Sequence, residues 1–104
     1  MTPETRLKTR VLEALRALPR SWWYKVPGSV YGRRGTPDIL GCWDGRFVAL
    51  ELKAPKGRVT ALQRATLDDI RGAGGFAAVV SGNDGWRAVF KEMRDGWCYS
   101  DGRP

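Results

Sequence analysis

Two apolar runs separated by a two-residue turn restrict this chain more than any other feature. Ile39 to Trp43 and Arg46 to Lys53 are rich in β-formers, and Asp44-Gly45 between them is a hairpin signal. The two runs are therefore expected as antiparallel neighbours. Asp38 opens the first run and Glu51-Leu52-Lys53 closes the second, so the hairpin brings two acids and an ammonium group to adjoining strand ends. Residues two apart on a strand share a face, so Glu51 and Lys53 project together and Leu52 points into the opposite layer.

The remaining elements follow from punctuation and periodicity. Thr2-Pro3-Glu4 opens a helix whose apolar positions Leu7, Val11, Ala14, Leu15 and Leu18 recur at helical spacing until Pro19. Trp22 to Val26 is predicted as a strand, and Pro27 to Gly35 as an exposed, mobile loop. A helix from Ala61 to about Arg71, a buried strand from Phe76 to Ser81 and a helix from Asp84 to Arg94 complete the order. The result is an α/β fold: a single mixed β-sheet flanked by helices, in one domain over residues 1–96, with 97–104 as a short tail.

Composition narrows the chemistry. The chain has no histidine, which excludes imidazole bases, Ser-His-Asp triads and His-ligated metals. Cys42 and Cys98 are the only cysteines and form no CxxC pair, so neither a zinc site nor a disulfide framework is indicated. Catalysis in such a chain runs on carboxylates, lysine and a hard cation, and oxygen ligands favour Mg²⁺ or Mn²⁺. A formal charge of +7 favours a polyanionic partner. No apolar run is long enough to span a bilayer, and the expectation is a soluble intracellular protein with no membrane partner and no small-molecule cofactor.

Asp38, Glu51 and Lys53 suit phosphodiester hydrolysis: carboxylates hold a divalent ion while the lysine orients or deprotonates water. The competing reading is ordinary surface chemistry, with Asp38 capping a turn and Glu51 paired to Lys53 in solvent. The adjoining Val48-Ala49-Leu50 run argues against a solvated position.

Gly35-Thr36-Pro37-Asp38, Glu51-Leu52-Lys53, the Pro55-Lys56-Gly57-Arg58 turn and Gln63 on the next helix occur in an order that resembles the VRR-NUC branch of the PD-(D/E)XK nucleases, over about residues 4 to 81. The resemblance implies a restriction-endonuclease-like core of order αβββαβ plus a C-terminal helix, and a DNA endonuclease dependent on Mg²⁺ or Mn²⁺. It makes Asp38 and Glu51 metal ligands, the Leu52 backbone carbonyl a third ligand, and Lys53 the residue that positions the attacking water. Gln63 matches a glutamine near the family's site, although Thr60 to Gln63 is also a capping box. The family places a glutamate on the first helix. At about 100° per residue Glu4 falls within about 20° of Val11 on the apolar stripe and Glu13 lies about 200° away, so Glu4 is the candidate; a first-turn glutamate is also a common helix-dipole partner.

Arg33, Arg34, Lys56 and Arg58 sit on the loops flanking the expected pocket and are candidate phosphate contacts, with Lys25 and Arg20 as weaker ones. Trp22, Trp23, Tyr24 and Tyr31 are assigned to a core or subunit interface in preference to stacking on bases. Short stand-alone members of the family resemble Holliday-junction resolvases, and paired cuts need two sites. Branched DNA, such as Holliday junctions or flaps, and a symmetric homodimer are therefore expected by analogy. The alternatives are a non-catalytic nucleic-acid-binding module and a protein-interaction regulator whose charge serves solubility.

Overall fold

The structure, a computed structural model, describes residues 2–28, 34–82 and 85–102, with backbone alone for 96–102. Helix α1 (Pro3–Arg16) begins as its sequence demands: the Thr2 hydroxyl accepts from the Thr5 N–H at 3.1 Å and Pro3 takes the first turn. Its buried stripe is Leu7, Val11, Leu12 and Leu15. Strand β1 (Ser21–Lys25) lies one residue earlier than expected, while β2 (Ile39–Trp43) and β3 (Arg46–Lys53) have the expected bounds. Asp44 and Gly45 between them both have positive φ, 54° and 83°, the backbone of a type I′ turn.

Helix α2 (Ala61–Gly72) carries the chain across the sheet to β4 (Phe76–Ser81). The sheet order is β1-β2-β3-β4, antiparallel throughout except that β4 runs parallel to β3. This is the mixed sheet expected from the sequence. Helix α3 (Gly85–Gly102) runs past the expected end at Arg94 and through the segment expected as a tail. Gly96 does not stop it because it keeps helical backbone, without the left-handed conformation of a capping glycine. The expected helix start at Asp84, most of the loop before Gly35 including Tyr31 and Arg33, and the side chains of Trp97 and Tyr99 lie outside the described residues.

Two apolar layers sandwich the sheet. On one face α1 and α3 cover Trp23, Ile39, Val48, Leu50, Leu52 and Val80, and Val89, Phe90 and Met93 of α3 close the layer. On the other, Leu67 of α2 packs on Ala49 and Ala77. Alternation along β3 accounts for the division: Val48, Leu50 and Leu52 enter the first layer, and Ala49 the second.

Gly41 is fixed by space. It pairs with Trp23 across β1 and β2, and a Cβ at this position would run into the Trp23 ring and the Trp22 carbonyl oxygen. Gly41→Ala is therefore expected to destabilise the fold by about 3 kcal/mol or more in urea denaturation, against about 1 kcal/mol for Gly45→Ala, whose Cβ meets nothing within 4 Å but whose φ is positive.

Candidate active site

The hairpin determines where the acids meet. Pairing between β2 and β3 ends at Ile39 and Leu50, so the last residues of β3 run on beyond the start of β2. The Asp38 side chain fills the missing strand's place: its Oδ2 accepts from the Leu52 N–H at 2.8 Å. Gly35 delivers Asp38 to this point. Its φ is 79°, and a Cβ would lie 2.9 Å from Leu62 Cγ and 3.0 Å from the Leu62 carbonyl oxygen, so the approach to α2 needs glycine twice over.

Glu51 projects from β3 with only 3% of its surface exposed. Its Oε2 accepts from Gln63 Nε2 at 3.0 Å and lies 3.6 Å from Lys53 Nζ. Its Oε1 is buried with no hydrogen-bond partner among the described residues. Burial, followed by the neighbouring Asp38 carboxylate, raises the Glu51 pKa to about 7 against the opposing pull of Lys53. Gln63 does both things its sequence position allows. It closes the capping box with Thr60, its backbone N–H donating to the Thr60 hydroxyl while its Oε1 accepts from the Thr60 N–H, and its Nε2 reaches Glu51.

Lys8, one turn along α1 from Glu4, was not singled out by the sequence. Its Nζ lies 3.5 Å from Asp38 Oδ1 and 3.8 Å from Glu4 Oε2, with its side chain largely buried. Glu4 thus faces the site, as the helical geometry requires, but meets Asp38 through this ammonium group. The signal that could have found Lys8 is its i,i+4 spacing from Glu4 on the face chosen for that residue. Arg6 and Arg10 were also passed over; with Pro3 and Pro55 they line a cleft of about 480 Å³ beside the segment that carries Lys56.

Lys56 and Arg58 are exposed on the segment that leaves β3, Lys25 is exposed at the end of β1, and Arg34 is exposed just before Gly35; Arg33 lies outside the described residues. The structure therefore brings Asp38, Glu51, Lys53 and Gln63 into one cluster and reaches Glu4 through Lys8.

Among the described residues no group of three or more acidic or sulfur side chains forms a metal cluster. The donors a divalent ion requires are nevertheless at hand. Glu51 Oε1 is bare, Asp38 Oδ1 is held by an ammonium group alone among the polar contacts described here, and the Leu52 carbonyl points the same way as its N–H, toward the vacant side beyond β2. An all-oxygen set of this kind suits Mg²⁺ or Mn²⁺.

A three-layer α/β fold with two acids and a lysine at adjoining strand ends defines the class of PD-(D/E)XK-like nuclease folds. The sequence model of the VRR-NUC domain family matches residues 4–84, and the chain belongs to that family. A solved structure described as a VRR-NUC domain is 25% identical with a TM-score of 0.70, covering 90% of this chain and 97% of its own. A second, a VRR-NUC domain protein, has the same fold at 16% identity and a TM-score of 0.69, covering 88% of each chain. The Holliday junction resolvase Hjc of Archaeoglobus fulgidus shares the fold at 24% identity and a TM-score of 0.57, over 75% of this chain and 67% of its own. Among curated protein sequences none matches.

The Glu51 carboxyl gives the metal-free protein a pH signature. Its folded pKa of about 7 exceeds the ordinary 4.5, so between those values the folded state holds a proton that the unfolded chain releases, and stability falls as pH rises through this window. In EDTA the melting temperature is expected to drop by several degrees between pH 5 and pH 8, and Glu51→Gln is expected to flatten that slope in a calorimetric pH series.

Proposed function

We propose that the chain is a metal-dependent DNA endonuclease that hydrolyses phosphodiester bonds, selecting branched DNA such as Holliday junctions or flaps. The observation that carries this reading is the bare, buried Glu51 Oε1 beside Asp38 and Lys53. Buried carboxylate oxygens are normally hydrogen-bonded, so one left without a partner suits a site where a cation completes the coordination. Membership of the VRR-NUC family supports the nuclease chemistry, and likeness to the Hjc fold supports the branched substrate.

Asp38, Glu51 and the Leu52 carbonyl would hold Mg²⁺ or Mn²⁺, with Glu4 on the far side of Lys8. The bound ion supplies Lewis acidity toward water and the phosphate. Lys53 donates hydrogen bonds to the attacking water and holds it against phosphorus, and Gln63 fixes the Glu51 carboxylate so that its free oxygen stays in place. Arg6, Arg10, Arg34, Lys56, Arg58 and Lys25 neutralise phosphates on either side of the scissile bond; Arg33 belongs to the same group by sequence. Paired cuts across a junction need two sites, which a symmetric homodimer supplies.

Cleavage of labelled four-way, flap, splayed and duplex substrates with Mg²⁺, Mn²⁺ or EDTA tests the assignment. Branched substrates are expected to be cut only with metal, and Asp38→Ala or Lys53→Ala should lower the rate about a hundredfold or more while DNA binding persists. Unchanged nicking by either variant, or in EDTA, would leave a binding module with a contaminating nuclease as the better reading.

Lys8 holds the site's negative charge when no ion is present, so its removal should strengthen cation binding. Lys8→Met is expected to bind Mn²⁺ several-fold more tightly than the native chain, measured by the loss of the free-ion paramagnetic resonance signal. Equal or weaker binding would show that Lys8 does not compete for the acids.

A further inference from the structure

A second surface lies on the face of the sheet that carries Glu51 and Lys53. Register and alternation place Trp22 and Tyr24 of β1, Cys42 of β2 and Phe47 of β3 on that face. Helix α2 packs over the β3 and β4 half, and the β1 side has no covering helix among the described residues. Trp22 is 65% exposed, Tyr24 47% and Phe47 45%. The Trp22 and Tyr24 rings lie within 7° of parallel with centroids 6.3 Å apart. Between Phe47 and α2 runs a groove of about 350 Å³, lined in part by Pro37, Leu40 and Ile70. Of the aromatics expected in a core or subunit interface, Trp23 is buried in the core, Trp22 and Tyr24 are exposed outside it, and Tyr31 lies outside the described residues.

We propose that Trp22 and Tyr24 form a stacking platform for unpaired bases of the strand held at the acidic pocket, an inference that rests on the DNA endonuclease reading above. Continuity with the pocket identifies the occupant. Tyr24 pairs with Leu40, two residues from Asp38, so its ring stands about 7 Å along the strand direction and one strand spacing, about 5 Å, from the level of Asp38. A phosphate over Asp38 and Glu51 therefore puts the neighbouring nucleotides over Leu40 and Tyr24, on the same face.

Charge agrees with this occupant. The chain carries +7 overall, while Lys25, the next residue of β1, projects by alternation to the opposite face of the sheet. Parallel exposed rings on a basic protein suit single strands, because every base has a π-face whatever its sequence. A paired duplex keeps those faces inside its own stack. The platform thus discriminates unpaired from paired DNA without base-edge contacts, and does so next to the bond to be cut.

Equilibrium binding in EDTA separates this inference from the reading beneath it. The native chain, Trp22→Ala/Tyr24→Ala and Trp22→Phe/Tyr24→Phe are titrated against fluorescent oligo(dT), a splayed duplex and a blunt duplex, with circular dichroism and sedimentation on each protein. The alanine pair is expected to lose about tenfold or more in affinity for oligo(dT) and the splayed substrate and to keep its blunt-duplex affinity, and the phenylalanine pair to retain all three. Native binding that the alanine pair reproduces on every substrate overturns the platform and leaves the endonuclease reading standing. A native chain that binds none of the three overturns both. A uniform loss of affinity with conversion of dimer to monomer overturns the platform in favour of a second copy of this chain on the same face.

Discussion

The hydrogen bond from the Leu52 N–H to Asp38 Oδ2 is the contact on which the site depends. It forms where β2 has ended and β3 continues, so a side chain completes the sheet edge that a strand would otherwise complete. The Asp44-Gly45 turn sets this overlap, because a two-residue loop leaves the pairing of Ile39 with Leu50 no freedom to slide. A slip by one residue would turn Glu51 and Lys53 into the layer filled by Leu50 and Leu52 and bring Leu52 into the pocket. The apolar alternation of β3 therefore protects the chemistry as well as the core.

Within that frame the charges are left unbalanced. Lys53 and Gln63 both attend to one oxygen of Glu51, and neither reaches the other. An acid buried in this way resolves its cost by taking up a proton or by meeting a cation, and the raised Glu51 pKa expresses the first of these. Lys53 supplies the second in part, 3.6 Å from Glu51 Oε2, and Lys8 does the same for Asp38 on the side away from the Leu52 N–H. A buried acid beside an ammonium group is thus neutralised by a proton or by a cation, and the raised pKa makes the first depend on pH.

Much of the fold could be read from the sequence because its punctuation is strong. Thr2-Pro3, Asp44-Gly45 and the Thr60 capping box each mark an element end by a specific backbone hydrogen bond or φ value, and the structure has all of them. Gly96 was harder, since a glycine halts a helix only when it adopts a left-handed conformation, and nothing local decides that. Asp38, Glu51, Lys53 and Gln63 were legible because strand alternation and one capping box fix where they point. Lys8 was not, because an i,i+4 pair with Glu4 has the same sequence pattern whether it lies in solvent or beside Asp38. Trp22 and Trp23 show the matching limit: adjacent and chemically identical, they part by alternation, and the position of α2 leaves one face of β1 without a covering helix among the described residues.

The layer architecture explains why the pocket lies at the end of the sheet. α1 packs on the face that holds Leu50 and Leu52, whereas Glu51, Lys53 and α2 belong to the other face. A continuous sheet separates the two layers, so Lys8 of α1 reaches Asp38 and Gln63 of α2 reaches the neighbouring Glu51 only where β2 stops and β3 runs on. The cleft lined by Arg6, Arg10 and Pro55 belongs to α1 and the turn after β3, whereas Tyr24 and Trp22 lie on the face that carries α2. Asp38, Glu51 and Lys53 therefore sit where, among the described residues, groups from both layers meet.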